Sequence, residues 1–122
     1  MARAVLIKGI KVSRGVATDI IKFLYMQASR RQPEGDGDIV YLDDSFNDVS
    51  TVLKMAADDF DDDVIVGFKF IYGDGYSNRL FEITELFYQV TENDFYNEVD
   101  KLNIRQLLPT GQHFRMFVCI AS

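Results

Sequence analysis

From Val64 to Tyr72 the chain runs Val-Ile-Val-Gly-Phe-Lys-Phe-Ile-Tyr, β-branched and aromatic residues interrupted only by Gly67 and Lys69. Branched and ring side chains pack well on a pleated surface and crowd the preceding turn of a helix, so this stretch reads as a strand. Side chains alternate between the two faces of a strand. Val66, Phe68, Phe70 and Tyr72 therefore share one side, and Ile65, Lys69 and Ile71 the other. The rest of the chain has to supply neighbours and cover for this strand.

Three stretches have helical period. Ser13 can cap a helix in which Val16, Ile20, Phe23, Leu24 and Ala28 form one apolar stripe. Asp19 lies in an early turn and Arg30-Arg31 in the last, the sense that the helix dipole favours. Ser45 and Asp48 stand in capping-box spacing before a second stripe of Val49, Val52, Leu53, Ala56 and Phe60. Thr91 and Asp94 repeat the signal ahead of Phe95, Val99, Leu102 and Gln106 or Leu107, with Pro109-Thr110-Gly111 ending that helix.

Four further strands complete the pattern: residues 4–12, 39–42, 79–90 and 113–120. Residues 32–38, with Pro33, Gly35 and Gly37, form a loop, and Gly73-Asp74-Gly75 with Ser77-Asn78 turns a hairpin from 64–72 into 79–90. The apolar phase changes near Thr84-Glu85, which a β-bulge accommodates. In the last strand Phe114, Met116, Val118 and Ile120 share one face. The order β-α-β-α-β-β-α-β predicts an α+β sandwich, a single domain over residues 1–122. It has three helices and one mixed five-stranded sheet, the early βα units giving parallel neighbours and the 64–90 hairpin an antiparallel pair.

The chemistry-bearing residues exclude more than they suggest. No apolar run reaches the roughly 18 residues of a membrane span, and the first eight residues are too short and too charged for a signal peptide. One cysteine, Cys119, and one histidine, His113, permit neither an internal disulfide nor a Cys/His zinc site, and a cytoplasmic home is expected. Cys119 sits in an apolar run and reads as structural. His113 at a strand start has no nucleophile in a recognisable setting. Glu82 and Glu85 point to opposite faces of a regular strand. The chain is read as non-enzymatic, with no cofactor and no metal.

Charge is the positive clue. Residues 1–33 sum to +6, residues 34–63 to −10 and residues 64–122 to −2. The middle segment ends in Asp58-Asp59-Phe60-Asp61-Asp62-Asp63, which lacks the alternating ligands, central glycine and distal glutamate of an EF-hand loop. Its sign excludes direct phosphate contacts to nucleic acid. A dense carboxylate array can instead stand where phosphates would sit, and so occupy the basic groove of a nucleic-acid-handling protein. Immunity proteins, antitoxins and viral inhibitors of restriction or CRISPR complexes are of this functional type. The candidate partner-binding residues are Asp58, Asp59, Asp61, Asp62 and Asp63, supported by Asp43, Asp44 and Asp48, with Tyr76 at the hairpin tip as an aromatic anchor. Two other readings compete. One is a sensor or carrier holding an anionic small molecule at Ser13-Arg14-Gly15. The other is a salt-sensitive homodimer or larger oligomer that pairs the +6 and −10 segments.

Overall fold

A computed structural model describes residues 3–29, 45–57, 63–72 and 89–121. They form β1 (Arg3–Ser13), α1 (Arg14–Gln27), α2 (45–49), β2 (Lys54–Ala57), β3 (Asp63–Tyr72), α3 (Glu92–Leu102), a 3-10 turn (Arg105–Leu107) and β4 (Arg115–Ala121). The expected loop 32–38, the strand 39–42, the hairpin turn 73–78 and the strand 79–90 up to residue 88, Glu82 and Glu85 included, lie outside the described residues.

The strand expected over 64–72 is the scaffold's longest partner. β3 pairs with β1 along ten residues, from Ala4↔Tyr72 to Ser13↔Asp63. β1 pairs on its other side with β4, from Arg3↔Ala121 to Gly9↔Arg115, and β3 pairs with β2 from Lys54↔Gly67 to Ala57↔Val64. The sheet order is β2-β3-β1-β4 and every pairing is antiparallel. The expected mixed sheet of five strands is not what the structure shows: among the described residues the sheet has four strands, all antiparallel. Among the described residues, the next strand after α1 is β2, and β3 then runs antiparallel to both β2 and β1. At the end of the expected strand 79–90, Gln89 is helical and Val90 belongs to no strand.

The helices lie over one face. Ile10 and Val12 of β1, Met55 of β2 and Val64 and Val66 of β3 form one buried cluster with α1, Phe46, Phe95, Val99 and Ile104. On the opposite face Ile7, Ala56 and Ile65 form a smaller cluster, with Phe117 packed against it. The alternation read for β3 is therefore seen directly, Val66 to one side and Ile65 to the other.

α1 starts as expected, with the Ser13 side chain accepting from the Val16 N–H. Its buried face is Ala17, Ile20, Ile21, Leu24 and Tyr25, a stripe rotated from the expected one; Val16 and Phe23 flank it half-buried, and Ala28 is exposed. The helix ends at Gln27 with no base in its last turn, and Arg30-Arg31 lies outside the described residues. Ser29, in the left-handed region at φ 54°, ends the turn.

The second helix departs most from expectation. Residues 45–49 are helical, and the chain then leaves the helix at Ser50 to enter β2. Ser45 is itself helical and buried, so it is not the residue before the helix. Ser50 Oγ donates to Leu53 O at 2.8 Å and Lys54 Nζ to Ser50 O at 3.1 Å, bonds that stabilise the reversal. Met55 and Leu53 are fully buried while Val52, on the expected helical stripe, is 47% exposed. A short apolar run fits either period, and the unpaired edge of β3 selected the strand.

α3 has the capping box predicted for it: the Thr91 N–H donates to Asp94 Oδ2 at 2.8 Å and the Asp94 N–H to Thr91 Oγ1 at 3.2 Å. It ends at Leu102, seven residues before Pro109. Asn103 takes the left-handed conformation (φ 59°, ψ 38°), its N–H bonding Asp100 O, and the Ile104 N–H bonds Val99 O at 3.3 Å. That pair of bonds is a Schellman motif, and Ile104 and Val99 both belong to the buried cluster. Leu107 belongs to the 3-10 turn, and Gln106 is exposed.

Candidate functional site

Asp63 opens β3 opposite Ser13, the cap of α1. One residue on, Val64 pairs with Ala57. The segment Asp58–Asp62, four acids in five residues, thus joins two strand ends that pair with each other, at the end of the sheet where α1 begins. The sequence reading had it follow a helix C-terminus. It follows the strand Lys54–Ala57 instead, and Asp63 pairs with Ser13 at a helix N-terminus, the end that favours negative charge. Asp58, Asp59, Asp61 and Asp62 themselves lie outside the described residues, as do Asp43, Asp44 and Tyr76.

Bases of the first segment stand at this same end. Lys11 Nζ is 4.0 Å from Asp63 Oδ2, with both side chains about one-third exposed or more. Arg14 is the first residue of α1, and its Nε is buried without a hydrogen-bond partner. Ser13 Oγ is already engaged by the Val16 N–H at 3.2 Å. Lys8 is turned elsewhere, donating to Val90 O at 2.8 Å with its ammonium 5.9 Å from the Phe114 ring centre.

Asp48 belongs to a different region. It sits on α2, and the Tyr25 hydroxyl donates to its Oδ2 at 3.4 Å. Tyr25 lies in the last turn of α1 and Ser13 before the first, about 18 Å apart along a helix that rises 1.5 Å per residue. The fold does not bring Asp48 and Asp63 into one patch. Asp48 lines a cleft of about 500 Å³ with Leu24, Gln27, Val49, Lys101 and Leu102.

The described residues hold ten of the thirteen bases and only seven of the nineteen acids. The protein's negative charge is therefore concentrated in residues 34–44, 58–62 and 74–85. Within the described fold the acids gather on α3, a region the sequence reading used only for its cap. Asp94 and Glu98, four residues apart and so on one helix face, line a cleft of about 640 Å³ with Phe68, Val90 and Asn97. These acids have structural partners. Asp94 serves the capping box, Glu98 Oε1 accepts from Lys101 at 2.9 Å, and Asp100 takes two bonds from Arg105, at 2.7 and 2.9 Å. The paired guanidinium holds the Asp100 carboxyl below its usual range and stacks 4.6 Å from the Tyr96 ring centre.

His113 is exposed, and Cys119 lies in β4. Among the described residues no group of three metal-ligating side chains comes together, and no helix is long and apolar enough to cross a membrane. In comparisons with known proteins, no family model, no curated protein and no solved structure matches the chain.

Proposed function

We propose that the protein is a small non-enzymatic binding protein that inhibits a basic, nucleic-acid-handling protein by occupying its basic groove with an acidic surface. One observation carries the reading: the densest run of acids in the chain joins the paired ends of β2 and β3. Asp58, Asp59, Asp61, Asp62 and Asp63 are five acids within six residues, so their charge is dense by sequence spacing alone. Charge held together in this way steers a basic partner. Asp58, Asp59, Asp61 and Asp62 carry the larger share, since Asp63 has Lys11 beside it. Asp43, Asp44 and Tyr76 remain candidates on sequence grounds, and Asp48 would act as a separate contact. The proposed setting is the cytoplasm, where the lone thiol stays reduced.

The test is capture from extracts of the native host, with bound proteins identified by mass spectrometry, using the wild-type chain and a variant with Asp58, Asp59, Asp61, Asp62 and Asp63 all changed to Asn. A basic nucleic-acid-handling protein is expected to be retained by the wild type and lost by the variant. The variant's stability is expected to change by less than about 1 kcal/mol, because the Lys11–Asp63 ion pair is long and partly exposed. Equal retention by both proteins removes the reading.

A further inference from the structure

We draw no further inference here: the strongest candidate, the cleft beside α3 that Asp94 and Glu98 line with Phe68, carries none, because both carboxylates already have partners in the Thr91 cap and Lys101 and nothing in the structure points to what would occupy it.

Discussion

Gly9 and Gly67 face each other across the β1–β3 pair, and the backbones there approach too closely for any other residue. A Cβ on Gly9 would lie 1.9 Å from Val66 O, and one on Gly67 would lie 2.2 Å from Lys8 O. The obstacle is backbone on both sides, which cannot swing aside as a side chain can. Gly9→Ala is expected to destabilise the fold by at least the ~1–3 kcal/mol typical of overpacking, read as a lower denaturation midpoint, with Gly67→Ala behaving alike. A second residue-scale expectation concerns Asp100, whose carboxyl is held low by the Arg105 hydrogen bonds, with direct charge attraction adding to them. A carboxyl with a depressed folded value contributes stability above its unfolded value, near pH ~4, and loses it as pH falls through the lower folded value. Following the carboxyl carbon by NMR should show Asp100 titrating below an ordinary aspartate, and Arg105→Ala should return it to the usual range.

At the scale of the element, residues 49–60 show how a period can mislead. Val49, Val52, Leu53, Ala56 and Phe60 repeat at helical spacing, yet 54–57 is a strand, because four residues added to the open edge of β3 satisfy its ladder and bury Met55 and Ala56. The two arrangements make opposite predictions. On the helical stripe Val52 would be buried and Met55 would not. In the strand Met55 is fully buried and Val52 is 47% exposed. Met55→Ala is therefore expected to cost about 2–5 kcal/mol and Val52→Lys no more than about 0.5 kcal/mol, measured by chemical denaturation. α3 is the contrasting case. Its start was legible because a capping box is written in local residues, Thr91 and Asp94. Its end was not, because Asn103 ends the helix by adopting a left-handed conformation that Asn permits without requiring.

For the whole molecule, the two charged segments meet at one end of the sheet, where Ser13 pairs with Asp63. The basic first segment forms β1 and α1, the acidic run adjoins them at the Ser13↔Asp63 pair, and Lys11 meets Asp63 there. Asp63 there has a helix N-terminus and Lys11 beside it, both favourable to its charge. An association through the aspartate run should weaken as ionic strength rises, which binding measured at low and high salt checks. The fold also divides what the sequence grouped. Asp48 stands at the far end of α1 from Asp63, and so belongs to another contact.

The sequence by itself determined the local facts: the long strand at 64–72 and the faces of its residues, the caps at Ser13 and Thr91, the α+β class and the uneven charge. Each depends on neighbours within a few positions, where side-chain period and hydrogen-bonding capacity act directly. Tertiary structure decided what depends on distant partners. It made 54–57 a strand and, among the described residues, set β1 between β3 and β4 with every pairing antiparallel. A strand's ladder is completed by whichever segment the whole chain brings alongside it, and no local pattern carries that information.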